Sequence, residues 1–330
     1  MRMCRILSLI TLTVMLSAAG IGQAPTLRWY KGNTHTHTLN SDGESSPDDV
    51  VKWYRDNGYN FLFVTDHEFI TPVAPLNEKF GKEGSFLVIQ GQEITDRLNK
   101  KPYHVTALNI STVVMPQNGA TVLENLQKNI DLVRAGGGVP IINHPNFGWA
   151  LTADDINPVK NVSLVEIANA HPLVNNLGGG GLPSAENIWD TLLTGGKLIY
   201  GIGSDDSHHF TRPGDKAAAT PGNAWIVVRA ENLSAQSLLA AMEKGDFYAS
   251  TGVELNDYQS DGRTISISIK ATTWSKYTVQ FIGREGKILK TVFTNPAVYQ
   301  IRKKDGYVRA KIIESNGKMA WTQPVNYKKK

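Results

Sequence analysis

Eight histidines lie in the first two thirds of the chain, and most of them follow a short apolar segment. They are His35, His37, His67, His104, His144, His171, His208 and His209. Acidic or amide residues stand close to most of them, and imidazole together with carboxylate is a common ligand set for divalent metal ions. The pattern therefore indicates metal coordination before any other chemistry.

The first cluster combines a His-x-His pair with a nearby carboxylate. His35 and His37 are two residues apart, so on an extended strand both side chains point to the same face and can bind one ion. Asp42 lies in a following loop that can fold back and add an oxygen ligand. One such pair is weak support, because a single histidine at a strand end more often forms hydrogen bonds within a core.

Five further clusters repeat this arrangement. They are Asp66-His67, Gly91-Gln92-Glu93, Tyr103-His104, Asn143-His144-Pro145 and the run from Ser204 to His209. Asp66 is placed to orient a ligand histidine, and Glu93 to bridge two metals. His104 is the exception, since it begins its apolar segment. Six clusters at the strand ends where α/β barrels build their sites predict a centre for several metal ions.

The elements that must position these clusters alternate between two kinds. Apolar runs such as Phe61–Val64 and Val139–Ile142 are typical of strands buried on both faces. Between them stand helical patterns that begin at the N-cap candidates Ser46, Ser184 and Ser234. This alternation over about 200 residues predicts an α/β domain, and specifically a TIM-like barrel, over residues 26–256.

Residues 257–330 follow a different pattern. Segments such as 264–269 alternate strictly between apolar and polar residues, and turn signals such as Asp261-Gly262 separate them. They predict a small antiparallel β-sandwich. Two roles stay open for it: a brace against the barrel, or a module that binds carbohydrate.

The first 22 residues have the pattern of a secretory signal peptide. Arg2 and Arg5 come first, an apolar run follows from Ile6 to Leu16, and small residues come next. The apolar run is too short to span a bilayer. We therefore expect export to the periplasm or the extracellular medium, with no stable membrane insertion after the signal is removed. Cys4, the only cysteine, would be lost with it.

Composition excludes several functions. The formal charge of +4 is mild, and no basic patch with interleaved aromatic residues supports nucleic-acid binding. No Gly-x-Ser-x-Gly motif is present, which argues against catalysis by a serine nucleophile. With 41% hydrophobic residues, the 330-residue chain can bury a large core.

As an ordered set, the motifs of residues 29–252 resemble the polymerase-and-histidinol-phosphatase (PHP) family. That resemblance implies a distorted (βα)7 barrel with two to three divalent ions, zinc, manganese or iron. The positions that match the family's ligands are His35, His37, Asp42, His67, Glu93, His104, His144, Asp206 and His208. The last motif is doubled as Asp205-Asp206 and His208-His209, and we choose Asp206 with His208 because they keep the Asp-x-His spacing. Residues 243–252 and the β-rich tail resemble the exported branch of the family.

The resemblance implies a phosphoesterase, in which a metal-activated hydroxide attacks a phosphate mono- or diester of a small molecule. His171 is expected to contact the substrate or to protonate the leaving group, and His209 and Arg212 to bind the substrate anion. Two alternatives stay open: a metal-dependent hydrolase of a non-phosphate ester or carbamate, and a non-enzymatic protein that binds metal or carbohydrate. A cationic rim would favour phosphate, whereas an apolar rim lined by Phe147 or Trp149 would favour another ester.

Overall fold

The computed structural model describes residues 26–328, so the predicted signal peptide and Cys4 lie outside the described residues. The α-helices are α1 Pro47–Asp56, α2 Ala74–Phe80, α3 Val122–Ala135, α4 Ala153–Ile156, α5 Ala185–Thr194 and α6 Ala235–Met242. The strands of the first part are β1 Arg28–Asn33, β2 Phe61–Val64, β3 Leu87–Leu98, β4 Lys101–Leu108, β5 Val139–Ile142, β6 Leu164–Asn169, β7 Tyr200–Ser204, β8 Trp225–Ala230 and β9 Phe247–Ser250. The later strands are β10 Leu255–Ser260, β11 Thr264–Ile269, β12 Tyr277–Gly283, β13 Lys287–Val292, β14 Ala297–Gln300, β15 Tyr307–Glu314, β16 Met319–Thr322 and β17 Val325–Asn326.

Three helices begin at the serines that the sequence indicated. The side chains of Ser46, Ser184 and Ser234 each accept a hydrogen bond from the backbone N–H three residues on, which satisfies a donor of the first helical turn. The prediction of these helix starts is confirmed. Within residues 26–328, no helix has both the length and the apolar character needed to cross a bilayer.

The large sheet is mixed rather than parallel throughout. β1, β2 and β3 pair in parallel, as do β5, β6 and β7, but β4 runs antiparallel to both β3 and β5. The reversal arises because β3 and β4 are joined directly by a hairpin. Its two turn residues, Asn99 and Lys100, both have positive φ, and such turns match the natural twist of paired strands.

The predicted barrel does not close by strand pairing. The sheet order ends at β7, and no ladder joins β7 to β8 within the described residues. The Gln323 side chain forms hydrogen bonds with the backbone of Gly201 in β7, in place of a neighbouring strand. Its Nε2 donates to the Gly201 oxygen at 2.9 Å, and its Oε1 accepts from the Gly201 nitrogen at 2.8 Å. β7 packs closely against β8, since a Cβ on Gly203 would lie 2.9 Å from the Trp225 oxygen. The fold is a mixed α/β fold whose large sheet stays open.

The C-terminal strands do not form a sandwich separate from the first part. β12, β13, β15 and β16 continue the large sheet, because β16 pairs with β9. β10, β11 and β14 form a second, three-stranded sheet. One apolar cluster contains Ile267 and Phe281 of the tail together with Val50 and Leu62 of the first part. The two parts share a core, and the predicted division at residues 256 and 257 falls inside β10.

Candidate metal centre

Residues of all six predicted clusters meet at one end of the large sheet. The parallel strands β1, β2, β5 and β7 carry their clusters just beyond their carboxyl ends, whereas Glu93 lies within β3. His104 lies in the first half of β4 and pairs with Thr95 of β3. Because β4 is antiparallel, the beginning of that strand lies at the same end of the sheet as the ends of its neighbours. This explains why His104 alone precedes its apolar run.

Glu93 is at the centre of the inner group. One carboxylate oxygen, Oε2, lies 3.0 Å from His35 Nε2 and 3.3 Å from His37 Nε2. The other, Oε1, lies 2.9 Å from His104 Nδ1 and 3.2 Å from His144 Nε2. The side chain is 1% exposed. A buried carboxylate with ring nitrogens on both oxygens has the arrangement expected of a ligand that bridges two ions.

Asp206 is the second carboxylate of this group. Its Oδ1 lies 3.3 Å from His35 Nε2 and 3.2 Å from His37 Nε2. Its backbone is in the left-handed region, at a φ of 49°, a conformation that non-glycine residues adopt mainly where the surroundings require it. Asp205 points elsewhere and accepts hydrogen bonds from three successive backbone N–H groups of residues 222–224. The choice of Asp206 over Asp205 agrees with these positions.

Asp42 holds an outer group together. Its carboxylate oxygens lie 3.5 Å from His37 Nδ1, 3.4 Å from His67 Nε2 and 3.3 Å from His208 Nε2. Gly43 permits the loop to fold this tightly, since a Cβ there would lie 2.6 Å from the His37 carbonyl oxygen. The loop therefore folds back to the histidine pair, as its spacing suggested.

The ligand atoms form four overlapping groups, each with its atoms within 4.8 Å of one another. The groups are His37, Asp42, His67 and His208; His35, His37, Glu93 and Asp206; His35, His144 and Glu166; and Glu93, His104 and His144. Neighbouring groups share a histidine or Glu93. Shared ligands are typical of centres that hold several ions side by side. The number and identity of the ions stay predictions.

Without a cation, the buried carboxylates raise the pKa of most histidines of the cluster, whereas burial lowers the pKa of His104. Burial alone would lower the pKa of His35, but Asp206, Glu93 and Glu166 raise it well above its usual value. Burial alone would raise the pKa of Glu93, but His35, His104 and His67 hold it well below its usual range. Asp206 behaves in the same way, since His35 and His37 lower its pKa against the effect of burial. These carboxylates are ionised and ready to bind cations near neutral pH.

Within residues 26–328, Asp66 forms no hydrogen bond or ion pair with a ligand histidine, contrary to the role predicted for it. Its carboxylate accepts hydrogen bonds from the Thr38 backbone N–H at 2.7 Å and the Ser41 hydroxyl at 2.8 Å. It also accepts from the Thr71 hydroxyl. Asp66 points toward the loop that follows His37 because that loop folds over the end of β2. It positions the segment that leads to Asp42, and it reaches a ligand ring only indirectly, through the Ser41 hydroxyl that lies 3.4 Å from His37 Nδ1.

Glu166 is a member of the centre that the sequence analysis missed. It is 1% exposed, and its Oε1 lies 2.8 Å from His35 Nδ1. Its Oε2 accepts from the His144 backbone N–H at 2.8 Å and from Asn169 Nδ2 at 2.9 Å. An acceptor at Nδ1 fixes the ring so that Nε2 faces Glu93 and Asp206. The available signal was an acidic residue inside the otherwise apolar run Leu164–Ile167.

A cleft of about 270 Å³ opens onto the cluster. His171 and Phe147 line it, which agrees with the expectation that His171 lies near the substrate. Glu93, Thr95 and Arg97 line it as well, because alternate residues of a strand point to one face. The Arg97 side chain forms no ion pair within the part of the chain that the structure describes. It is a cation at the cleft that the sequence analysis did not identify.

His209 and Arg212, which were expected to bind the substrate anion, do not line this cleft. The backbone N–H groups of His208 and His209 both bond to the Ala219 oxygen, so the loop turns away after His208. Arg212 is 54% exposed and lies 3.4 Å from Glu44. Arg97, rather than these two residues, presents positive charge to the cleft.

The chain is similar to several solved structures, to different degrees. The chain is similar to a two-domain protein from Bacteroides vulgatus that contains a predicted PHP-like metal-dependent phosphoesterase, with a TM-score of 0.51 at 15% identity over 91% of this chain and 96% of that one. A protein from Bifidobacterium adolescentis, described as a metal-dependent phosphoesterase, matches with a TM-score of 0.41 at 14% identity over 55% of this chain and 89% of that one. An amidohydrolase from Chromobacterium violaceum, with bound sulfate and no metal, matches with a TM-score of 0.42 at 14% identity over 56% of this chain and 89% of that one.

The first of these matches shows that the chain has the fold of a PHP-like protein. No protein-family model matches the sequence, and no curated protein matches it either. The predicted α/β class is therefore confirmed from structure, at low sequence identity, whereas the closed (βα)7 barrel that the resemblance implied is not, because the large sheet stays open.

Proposed function

We propose that the protein is a hydrolase of the PHP family that uses two to three divalent ions to cleave phosphate esters of small molecules. The observation that carries this proposal is the set of four overlapping ligand groups around Glu93 and the His35-His37 pair. A structural ion needs one closed set of ligands, whereas adjoining groups beside an open cleft are typical of catalytic centres.

The residues present fit such ions. His37 Nε2 and His104 Nε2 are buried and have no hydrogen-bond partner within residues 26–328. The carboxylate oxygens at 3.2 and 3.3 Å from His37 Nε2 make no hydrogen bond of normal geometry with it. A buried ring nitrogen without a partner is costly unless something else binds it, and a cation beside the carboxylates would do so. When bound, divalent ions acidify water and offset negative charge in the transition state.

The protein's own groups orient the centre and the substrate. Glu166 holds His35 through Nδ1, and Asp66 holds the loop that carries Asp42. The Leu173 N–H donates to His171 Nδ1 at 3.2 Å, which leaves the ring proton on Nε2. Burial lowers the pKa of His171, so the neutral ring suits a hydrogen bond to a substrate oxygen better than full proton transfer.

Two observations at the cleft bear on the ester that is cleaved. Arg97 offers a guanidinium, which binds phosphate oxygens well, and the similar Bacteroides vulgatus protein is described as containing a predicted phosphoesterase. Phe147 adds an aromatic wall, which favours the second candidate, a hydrolase of non-phosphate esters. We favour phosphate because Arg97, which forms no ion pair within residues 26–328, lies in the same cleft.

The test compares metal content and hydrolysis in matched variants. The chain without residues 1–22 should contain two to three ions and should hydrolyse p-nitrophenyl phosphate or bis-p-nitrophenyl phosphate faster than p-nitrophenyl acetate. His35→Ala and Asp206→Ala should lose both metal and activity, whereas the control His209→Ala should keep its metal. Hydrolysis of the acetate alone would shift the proposal to the second candidate, and activity in metal-free protein would overturn both.

Export is part of this proposal and rests on the first 22 residues alone. Fractionation of cells that express the whole chain, followed by mass spectrometry of the mature N-terminus, tests it directly. An intact N-terminus in the cytoplasm would contradict it.

A further inference from the structure

A second cavity of about 330 Å³ lies beside the metal centre, where the first part of the chain meets the C-terminal strands. Its apolar wall includes Ile167 of β6, Leu177 of the following loop, and Met319 and Trp321 of β16. None of its lining residues lines the metal cleft. The volume and the apolar wall are those of small-molecule sites in proteins, which are usually lined by hydrophobic side chains with a few polar groups.

The charged groups of this wall are already paired. The Lys311 ammonium donates to Glu186 Oε2 at 2.6 Å, and Arg309 donates to the other oxygen, Oε1, at 2.8 Å. A charged ligand would leave water for a wall with no unpaired charge to receive it, which is unfavourable. The cavity therefore suits an uncharged ligand.

The accessible apolar surface of the wall comes from Met319 and Leu177. Trp321 is 4% exposed, so its indole is held within the wall and offers little ring face to a ligand. Leu177 lies at the mouth of the cavity and is 84% exposed, so its apolar side chain is available to a ligand. Four glycines, 178–181, follow it, all with positive φ.

Asn169 connects the cavity to the metal centre. It lines the cavity, and its Nδ2 donates to Glu166 at 2.9 Å and to Asp206 at 3.1 Å. Asn176, a second lining residue, bonds to both the backbone nitrogen and the backbone oxygen of Asn169. A ligand here would lie one side chain away from two carboxylates of the centre.

We propose that this cavity is a binding site for a small, uncharged apolar molecule, separate from the metal cleft. The site does not depend on the proposed hydrolysis, so it can be tested on protein from which metal has been removed. Indole serves as the probe, and indole-3-carboxylate serves as its ionised counterpart.

Calorimetric titration of the chain without residues 1–22 should show saturable binding of one indole molecule per chain. Indole-3-carboxylate should bind at least about tenfold more weakly. Met319→Trp, which fills the cavity, and Leu177→Asp, which adds charge at its exposed mouth, should each weaken indole binding by about tenfold or more. Phe147→Ala, the matched change in the metal cleft, should leave it within about twofold. Leu177→Asp alters an exposed side chain, so it keeps the test valid if Met319→Trp does not fold.

Three results would overturn the proposal. They are no saturable binding up to the solubility of indole, binding that is lost in Phe147→Ala but kept in Leu177→Asp, and equal binding of the ionised counterpart.

Discussion

Removal of the Arg309 side chain tests whether the C-terminal strands and the first part of the chain form one folding unit. Arg309 of β15 is fully buried and reaches across to α5. Its Nε donates to Asp190 Oδ1 at 2.8 Å, and its Nη2 donates to Asp190 Oδ2 at 2.6 Å and to Glu186 at 2.8 Å. If the fold of Arg309→Met is unchanged, the Asp190 side chain stays buried, at 5% exposure. Of this network it then keeps only the hydrogen bond that the Tyr307 hydroxyl donates to Oδ1 at 2.7 Å.

A buried carboxylate that loses its cation typically costs about 3–5 kcal/mol. That is a large part of a usual total stability of about 5–15 kcal/mol, so Arg309→Met should lower the free energy of unfolding by this amount. The double variant Arg309→Met/Asp190→Leu should cost less than the single one, because it removes the unpaired charge as well. Arg302→Met makes the same change at an exposed position and should cost less than about 0.5 kcal/mol.

Urea denaturation followed by circular dichroism measures these differences. The wild-type protein should unfold in one transition, because the large sheet and an apolar cluster run through both parts of the chain. A cost below about 1 kcal/mol for Arg309→Met, or a separate transition for the tail, would show that the two parts do not fold as one unit.

Three further outcomes follow from the centre. Glu166→Gln should weaken metal affinity by about 10–100-fold at equal fold stability, which a metal titration would show, because it loses the charge that holds His35; unchanged affinity would remove Glu166 from the centre. Arg97→Met should raise KM for a phosphate ester by about tenfold with little change in kcat, whereas the control Lys100→Met should not; equal KM values would remove Arg97 from substrate binding. The metal-free protein should lose thermal stability as pH rises above about 7. Five histidines of the centre have pKa values that are higher in the folded protein than in the unfolded chain, so their protonation stabilises the fold at pH below the unfolded-state pKa. This stabilisation is lost as the pH rises through the pKa values of the folded state. Saturating metal should remove this loss, and a Tm that rises with pH in chelated protein would contradict the assignment.

The sequence located most of the centre because ligand-type residues stand at strand ends, and strand ends can be recognised from apolar runs. His67 and His144 both follow such runs. Helix starts could be predicted for a similar reason, since a serine cap such as Ser184 acts within one turn of helix.

What could not be predicted depends on pairing between distant segments or on the direction of one side chain. The reversal of β4 arises at Asn99 and Lys100, which carry no glycine signal for a tight turn. Glu166 lies within a strand, and its role depends on its hydrogen bonds to His35 and Asn169, which the strand pattern alone does not indicate. The continuation of the sheet into the tail depends on pairing between β9 and β16, which are about 70 residues apart.

Glu93, Asp206 and Asp42 are proposed to hold two to three adjoining ions. Anomalous diffraction from crystals of the protein grown with manganese would locate these ions. Peaks are expected between Glu93 and Asp206 and beside Asp42, each with at least two histidine nitrogens as ligands. The absence of any peak, or a peak bound through Asp205 and His209 instead, would contradict this proposal.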